Sequence, residues 1–494
     1  MGLIQIGASI LTALLVGVLP KRHRDDVTRG TSRTYILLTL SVLALYWFQP
    51  VAPLRSFDFW LPSLSLAFVI LTWFITSQSG AWKSRPNLIG LFIIIALVTL
   101  IDLVRYIFPQ PFLTGTTPPQ FIQFFVFVLI VAIVIVICTY VSRTKAWILS
   151  VGTILLLSML FILKSPALSV QASVFFRTLT NRPIENASAL DLRWLGFSYI
   201  AFRLIHVLRD KSRTPQFSLS GSVRDKQLGR LPELTLSEFA TYVVFFPSLS
   251  AGPIDRAERF AQDLKTEFTL TEHATLEAGQ RIVIGLFKKF VIADALALIA
   301  LNDALAIQVH ATGWMWIHLY AYAFQIYFDF SGYTDIAIGI ARLVGIKLPE
   351  NFAAPYTKPN LTQFWNNWHM TLTQWFRAYF FNPFNRWIRG YKSIPAWIMI
   401  LIGQLATMLL IGLWHGVTIN FILWGIWHGL GLFLQNRWSD FAKTRFTTNN
   451  PRLQIVMQFG GVLLTFHFVA LGWVFFALSE PALSLQVFMK LIGS

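Results

Sequence analysis

Two histidines in the second half of the chain are surrounded by tryptophan, asparagine and apolar residues. His369 ends the sequence FWNNWH, and His415 lies in the sequence LWHG. Imidazole is the side chain whose ordinary pKa lets it take up and return a proton near neutral pH. An ionisable group in an apolar segment is costly and is a candidate for function. We therefore predict a catalytic site at these two histidines, within the membrane.

The spacing before His369 suggests an aromatic wall. On one continuous helix, Trp365, Trp368 and His369 would occupy positions i, i+3 and i+4 and would share a face. Such a face could line a groove for an acyl chain or a sugar. The alternative is an interfacial amphipathic helix with tryptophan anchors, in which His369 needs no function. The periodicity alone slightly favours this alternative.

The other histidines of the apolar segments are less informative. His415 stands between Gly412 and Gly416, and small residues let a backbone or a ligand approach closely. A catalytic role and a role as a hydrogen-bonded packing residue are equally compatible with that sequence. We expect His428 to support the site or to pack in the core, and His467 to pack in an apolar helix.

A polar run ends an otherwise apolar helix. Residues 324–335, FQIYFDFSGYTD, contain Asp329, Tyr333 and Asp335. Ionisable groups at membrane depth are candidates for a functional site. The alternative is that each carboxylate binds backbone donors or a cation such as Arg342 and holds helices together. We favour this alternative for each carboxylate taken singly.

Several other chemistries lack their sequence signatures. Cys138 is the only cysteine, which excludes an intrachain disulfide and a cysteine metal site and argues against a cysteine nucleophile. The chain has no HExxH zinc motif, no GxSxG serine motif and no GxxxxGK[ST] phosphate loop. Direct base catalysis by histidine on a bound hydroxyl is the simplest chemistry that remains, and we expect no metal.

The composition is that of a membrane protein. Of the 494 residues, 55% are hydrophobic and 13% are charged, whereas soluble domains carry about 25% charged residues. The 44 Phe, 18 Trp and 13 Tyr suit packed transmembrane helices with interfacial aromatic belts. We expect the net charge of +17 in cytoplasmic loops and against anionic lipid, and we predict no binding of nucleic acid.

Charged connectors between the apolar segments predict the orientation. Basic clusters lie at residues 21–24, 83–85, 143–145 and 209–230, after the first, third, fifth and seventh apolar helices. Because cytoplasmic loops are enriched in Lys and Arg, these clusters place the N-terminus outside. Three arginines in the predicted loop at 164–193 oppose this arrangement.

The apolar segments predict an all-α, polytopic transmembrane protein. The predicted helices are at 3–20, 34–48, 58–76, 87–107, 121–141, 146–163, 194–208, 281–307, 313–330, 396–412, 417–434 and 455–477, with a short segment from Pro481. At about 20 residues per span, we expect one membrane domain of roughly 11 to 13 helices. Residues 236–254 contain Pro247 and the sequence AGPI, so we expect a broken or re-entrant segment there. Irregular backbone at membrane depth needs protein or a water-filled cavity to satisfy it, which suggests a central cavity.

Six sequence blocks, in order, resemble the membrane-bound O-acyltransferase (MBOAT) family. They are residues 245–256, 285–294, 324–339, 349–356, 364–383 and 413–416. The likeness is greatest to the bacterial branch that contains the alginate O-acetylation protein and the D-alanyl transferase of teichoic acids. It covers residues 194–434, and the first 190 residues carry no motif of the family.

The resemblance implies N-terminal transmembrane helices at 1–193, a catalytic core at 194–434 and C-terminal transmembrane helices at 435–494. His415 matches the nearly invariant histidine of the family, and His369 matches its polar partner. The residues implied as substrate contacts are Trp365, Trp368, Asn367, Arg377, Trp414, Asp329, Tyr333, Asp335 and Asn351.

This chain departs from the branch at three positions near His369. Asn366 and Asn367 replace two usual arginines, and Ala378 stands where an aspartate often occurs. Losing those charges affects contacts with the donor head group or a partner protein more than it affects the chemistry.

The resemblance implies acyl transfer from a cytoplasmic thioester donor, acyl-CoA or an acyl carrier protein. His415, oriented by His369, would act as general base, and the acyl group would be acetyl or another short one. The acceptor would be a hydroxyl of a cell-envelope glycan or of an outward-facing relay protein. No bound cofactor is expected. The implied partners are membrane lipid, the thioester donor, an acyl carrier protein or an extracytoplasmic SGNH-type acyltransferase, and the implied location is the bacterial cytoplasmic (inner) membrane.

Two other functions stay open. A glycan or lipid transporter would also be polytopic, basic inside and built with broken helices, but it would need no general base. A non-catalytic subunit of an envelope-polysaccharide assembly is favoured by Asn366, Asn367 and Ala378. It is disfavoured by the presence of both histidines, since a scaffold has no reason to keep buried titratable groups.

Overall fold

The computed structural model describes residues 2–18, 26–108, 113–144, 147–212, 233–391, 393–445 and 450–493, and within these ranges its regular structure is entirely helical. Six of the described helices are long and apolar enough to cross a membrane, namely Phe57–Thr76, Arg85–Ile107, Phe121–Val141, Trp147–Lys164, Ala396–His415 and Pro451–Ala477. The prediction of an all-α, polytopic membrane protein is confirmed. The total of 11 to 13 helices stays a prediction. The basic clusters at 21–24, 143–145 and 213–230 lie outside the residues whose side chains are described.

The chain divides into two compact units. The first comprises Met1–Gln280 with Ala337–Leu348, and the second comprises Arg281–Ile336 with Pro349–Ser494. The remaining helices of the first unit are Leu3–Val18, Asp26–Trp47, Pro166–Leu179, Phe197–Ser212, Leu236–Val243 and Ala257–Lys265. The second unit also contains Leu361–Asn367, Met370–Phe376, Asn382–Ile388, Ile419–Arg445 and Pro481–Leu491. Helices Glu272–Leu286 and Thr312–Leu343 each have residues in both units.

A helix lies where the sequence analysis expected a loop at 164–193. Pro166–Leu179 begins with proline, and the hydroxyl of Ser165 accepts a hydrogen bond of 3.4 Å from a first-turn amide. The helix places Arg177 against Asp191, with Nε–Oδ2 and Nη2–Oδ1 distances of 2.6 and 3.0 Å. Because this pair is buried, Arg177 is neutralised and does not count as a free charge against the predicted orientation.

The broken segment expected near Pro247 is confirmed in the first unit. Helix Leu236–Val243 ends, and only a 3₁₀ turn at Phe246–Ser248 follows. The guanidinium of Arg203 donates hydrogen bonds of 2.8 to 3.3 Å to main-chain oxygens at the break, those of Tyr242, Val243 and Ser248. The buried guanidinium thus donates hydrogen bonds to main-chain oxygens that no longer have helical amide partners. Irregular backbone in an apolar environment requires such donors.

A cavity of about 530 Å³ lies in the first unit among helices Phe57–Thr76, Arg85–Ile107 and Phe121–Thr144. Its lining is almost wholly apolar, and no histidine or carboxylate contributes to it. Such a cavity suits an alkyl chain. The central cavity around the predicted site stays a prediction.

The segment predicted as one helix at 281–307 is interrupted in the structure. It consists of an α-helix, a π-helical turn and two short helices, at Glu272–Leu286, Phe287–Ala293, Asp294–Ala297 and Asp303–Gln308. A π-turn carries more residues per turn and shifts the side chains that follow it. Here it contains the consecutive cations Lys288 and Lys289, which bind Asp335 and Asp329 respectively.

Helix Thr312–Leu343 continues well past its predicted end at residue 330. Its two carboxylates, Asp329 and Asp335, lie within the helix and are paired with cations. Asp335 lies 2.7 Å from Lys288 Nζ and 3.0 Å from Arg281 Nε. The structural reading of Asp335 is therefore supported, with cations other than the expected Arg342, which binds a glutamate instead.

Two glycines allow this pairing of helices. A Cβ atom on Gly285 would lie 2.6 Å from the main-chain oxygen of Gly332, and one on Gly332 would lie 2.7 Å from that of Gly285. The two backbones are thus in direct contact, and a larger residue at either position would separate them.

Removing one partner of the buried Arg177–Asp191 pair should destabilise the first unit. We expect Arg177→Ala to cost about 3–5 kcal/mol because Asp191 would remain buried without its cation. The measurement is the thermal midpoint (Tm) of the detergent-solubilised protein. Arg182→Ala, at an exposed arginine of the same segment, is the control and should change little. An equal Tm for both variants would contradict the prediction.

Candidate active site

His369 lies at a break between two short helices. Helix Leu361–Asn367 ends at Trp368, which is extended (φ −108°, ψ 126°), and His369 is left-handed (φ 42°, ψ 53°) before Met370–Phe376 begins. The expected continuous helix is therefore wrong, and Trp365 does not share a helical face with Trp368 and His369. A left-handed residue other than glycine costs about 1–2 kcal/mol, so neighbouring contacts must hold it.

Hydrogen bonds from the preceding extended segment hold the break. The main-chain oxygen of Asn351 accepts a bond of 2.9 Å from the amide of Met370. On the other side of His369, the main-chain oxygen of Asn367 accepts a bond of 3.1 Å from the amide of Ala353. Residues 351 and 353 thus fix the backbone on both sides of His369. The helical periodicity of the sequence around His369 does not predict these contacts.

The side chain of Asn351 also fixes the tautomer of His369. Its Oδ1 accepts hydrogen bonds from the amide (3.1 Å) and the hydroxyl (2.9 Å) of Thr371. His369 Nδ1 lies 3.2 Å from the same oxygen and must therefore be the donor. Nε2 then carries the lone pair, and this buried atom makes no hydrogen bond with the described residues. The site offers one acceptor nitrogen to a reactant.

Burial keeps His369 neutral. The side chain is 3% exposed, and its ring packs against Phe330 at 4.6 Å and Phe352 at 6.5 Å between centroids. Loss of hydration lowers the pKa of His369 to about 3. Such an imidazole is a weak base near neutral pH and is better suited to orient a group through a hydrogen bond.

His415 is placed differently. It is the last residue of helix Ala396–His415, and Gly416 leaves the helix in an extended conformation (φ −175°). Its ring lies 4.8 Å from that of Phe476 and 5.8 Å from that of Trp424, and the side chain is half-buried. A half-buried imidazole at a helix end can meet a reactant while aromatic rings exclude much of the water.

One indole joins the two histidines. The ring of Trp414 lies 4.5 Å from that of His415 and 6.1 Å from that of His369. The structure therefore brings together the two histidines that the sequence singled out. Trp414, expected as a substrate contact, packs against both of them.

The predicted tryptophans lie in a buried aromatic cluster. Trp368 packs within 6 Å of four rings, those of Phe352, Tyr356, Phe364 and Trp473. Trp365 packs instead against Trp424 and His428. Tertiary contacts, rather than one helical face, thus build an aromatic cluster beside His369, and its role as the wall of a groove stays a prediction.

The polar residues expected to contact substrate make other contacts. Arg377 donates a hydrogen bond of 2.6 Å to the exposed Asn366, and Asn367 donates one of 2.8 Å to a main-chain oxygen of its own helix. Asp329 and Asp335 bind the cations already described. The roles of Asp329 and Asp335 toward substrate stay predictions, and so do those of the buried Tyr333 and Asn351.

Four aromatic residues at the histidines were not predicted. Phe330 and Phe352 pack against His369, and Trp424 and Phe476 pack against His415. Phe330 stands between the polar residues of the 324–335 run, so its position could have suggested a role. Phe476 lies in a plain apolar span and carried no signal.

A second cluster of titratable groups occurs in the first unit. Nε2 of His206 lies 3.0 Å from Asp210 and 3.9 Å from Glu258. Among the described residues this is the only group of three side chains with metal-ligand spacing, and it contains neither His369 nor His415. We interpret it as a structural contact between helices Phe197–Ser212 and Ala257–Lys265.

The stability of the protein should depend on pH through His369. An unfolded histidine titrates near pH 6.5, whereas the pKa of native His369 is about 3. The unfolded state therefore binds more protons between these values, and the native state loses up to about 1.4 kcal/mol per unit as the pH falls below about 6.5. We expect the Tm of the wild type to fall more steeply between about pH 6.5 and pH 5 than that of His369→Gln, which does not titrate.

The control for this comparison is His273→Gln, at an exposed histidine. It should follow the wild type over the same pH range. Parallel curves for wild type and His369→Gln would mean that His369 is not held neutral by burial.

Three bacterial proteins are similar to this chain. A teichoic acid D-alanyltransferase of Bacillus subtilis (strain 168) is 31% identical over 289 residues, which are 58% of this chain and 69% of that protein. A probable alginate O-acetylase AlgI of Pseudomonas syringae pv. tomato is 38% identical over 244 residues, 49% of this chain and 43% of that protein. A peptidoglycan O-acetyltransferase of Helicobacter pylori is 34% identical over 261 residues, 52% of this chain and 46% of that protein. The chain thus spans less than half the length of the latter two.

The family comparison covers more of the chain than the motifs do. The model of the MBOAT, membrane-bound O-acyltransferase family matches residues 133–477, which extends the likeness at 194–434 on both sides. The match includes both histidines and the aromatic residues around them. On this evidence the chain belongs to the membrane-bound O-acyltransferase family.

Proposed function

We propose that this multi-pass membrane acyltransferase moves a short acyl group from a cytoplasmic thioester donor to a hydroxyl of a cell-envelope glycan or of an outward-facing relay protein. The observation that carries the proposal is the pair His369 and His415 packed on Trp414. One histidine presents a fixed acceptor nitrogen, and the other is a half-buried base at a helix end. This division of roles suits removal of a proton from an acceptor hydroxyl.

His415 is the general base in this proposal. His369 is too weak a base near neutral pH because burial lowers its pKa to about 3. His415 takes the hydroxyl proton as the oxygen attacks the thioester carbonyl carbon. The C–S bond then breaks, and the proton passes to the leaving sulfur. A positioned general base contributes about 10²–10⁴-fold to the rate.

His369 orients the reacting groups. Its Nε2 lone pair accepts a hydrogen bond from a hydroxyl or a thiol, while Nδ1 stays bound to Asn351. Correct orientation of reactants supplies a large part of catalysis in acyl transfer. This chemistry uses only protons and bound reactants, so the proposal includes no cofactor, and acyl-CoA or an acyl carrier protein serves as donor substrate.

The named relatives support an envelope acceptor. Their names specify alginate, peptidoglycan and teichoic acid, which are polymers of the bacterial envelope, and two of the three name O-acetyl transfer. We infer a short acyl group, a bacterial inner-membrane location with the N-terminus outside, and an extracytoplasmic SGNH-type acyltransferase as a possible relay. The net charge of +17 supports a cytoplasmic face that attracts an anionic donor.

Replacing His415 should stop transfer in a folded protein. We expect His415→Ala to lower the transfer of labelled acyl groups in membranes by at least about 10²-fold. Acetyl-CoA, longer acyl-CoAs and acyl carrier protein are compared as donors. His273→Ala is the matched control and should retain activity, and gel filtration in detergent checks folding. Equal transfer by wild type and His415→Ala would show that His415 is not the base.

Asn351 should matter through His369. We expect Asn351→Ala to lower kcat by roughly 10–10²-fold because His369 loses the acceptor that fixes its ring. Asn351→Asp keeps an oxygen at that place and should restore part of the activity. Thr371→Val removes only one of the hydrogen bonds to Asn351 and should have the smaller effect. A loss confined to KM would contradict a role in orienting the catalytic group.

A further inference from the structure

His428 is buried among aromatic rings next to the predicted catalytic residues. It is 0% exposed, in the helix Ile419–Arg445. Its ring lies 4.8 Å from that of Trp424 and 5.2 Å from that of Trp365, and these two indoles lie 5.7 Å from each other. The three rings are therefore in mutual contact. We call them the His428 cluster.

The polar atoms of the His428 cluster have no partners among the described residues. Both ring nitrogens of His428 and the indole nitrogens of Trp365 and Trp424 are buried without a hydrogen bond. More than about 90% of buried polar groups in folded proteins are hydrogen-bonded. Four such nitrogens on three touching rings point to a bound polar group.

The chemistry of these nitrogens specifies the ligand. Each indole offers one donor, and a neutral imidazole offers one donor and one acceptor. An oxygen atom complements part of this set, because it accepts bonds with its lone pairs and a water or hydroxyl oxygen also donates. The two ring nitrogens of one imidazole point away from each other, so a single oxygen binds one of them. Contacts of an indole N–H with an aromatic face are weak, and they would leave the imidazole nitrogens unpartnered.

The surroundings limit the ligand to a small group. A Cβ atom on Gly472 would lie 2.7 Å from His428 Nε2, so even a methyl group does not fit beside that nitrogen. The rings of Phe468 and Trp473 close further sides at 5.8 and 6.2 Å. A ligand at these rings is therefore small, and a single oxygen atom bound to one ring nitrogen is the simplest choice.

We propose that Trp365, Trp424 and His428 form a polar subsite that binds one oxygen atom beside the catalytic histidines. Trp424 contacts His415 directly at 5.8 Å, and Trp365 belongs to the short helix that precedes His369. The oxygen belongs to a resident water or to a carbonyl or hydroxyl of a bound substrate. The role of the subsite in acyl transfer rests on the proposed function. The presence of an oxygen atom in the subsite does not depend on that function.

The deciding experiment is an experimental structure of the full chain at a resolution that shows ordered water, without and with acetyl-CoA. We expect an oxygen within hydrogen-bond distance, about 2.7–3.2 Å, of a His428 ring nitrogen. Its presence without acetyl-CoA identifies a resident water, and its presence only with acetyl-CoA identifies a substrate oxygen. Contact of both nitrogens with carbon atoms alone in both structures would overturn the proposal.

A variant pair tests the same subsite by stability. If an oxygen is resident, His428→Phe lowers the Tm because the ligand loses its partners, and His428→Gln, which keeps a donor and an acceptor, restores much of it. If the nitrogens are merely unpaired, His428→Gln gives no recovery of the Tm over His428→Phe. His467→Phe is the matched control, since His467 Nδ1 has a partner, the Leu463 oxygen at 2.7 Å.

Kinetics separate this proposal from the proposed function. A substrate oxygen predicts that His428→Phe raises the KM for the acyl donor about tenfold or more, as the loss of a buried hydrogen bond does. If the oxygen is a resident water, His428→Phe lowers kcat, because Trp424 links the His428 cluster to His415. The KM then changes little. If the wild type transfers no acyl group, the proposed function fails, and the structure and the Tm values still decide whether the subsite exists.

Discussion

The site in the second unit depends on the hydrogen bonds that Asn351 makes around His369. Its main-chain oxygen anchors the residue after the histidine, and its side-chain oxygen binds the imidazole Nδ1. One residue therefore holds a costly left-handed backbone and selects the tautomer of the ring. Backbone geometry and proton position are coupled here, because the same asparagine cannot move without changing both.

Several charged groups inside this largely apolar protein bind an opposite charge or main-chain oxygens. The π-turn at Phe287–Ala293 carries two adjacent lysines to two carboxylates of a neighbouring helix. In the first unit, Arg203 binds main-chain oxygens at a helix break, and Arg177 binds Asp191. Irregular backbone and buried charge thus occur together, because each supplies the partner that the other needs in an apolar environment.

The histidines of the second unit show how environment divides one residue type into roles. His467 binds an oxygen of its own helix and packs against aromatic rings. His369 is buried and held by a side-chain amide, while His415 is half-buried at a helix end. His428 is enclosed by indoles, and neither of its nitrogens has a partner in the described part of the chain. His369 and His415 both lie against the indole of Trp414, and this contact supports the proposal that the two act together in catalysis.

The sequence alone determined the helical membrane architecture, the family likeness and the two histidines. Long apolar runs have one stable backbone solution in lipid, so the spans near 58–76 and 396–412 could be located from composition. Tertiary structure decided the break at His369, the π-turn, and the contacts of Trp424 and Phe476 with His415. A left-handed residue or a π-turn is stabilised by partners distant in the chain, and no local periodicity encodes those partners.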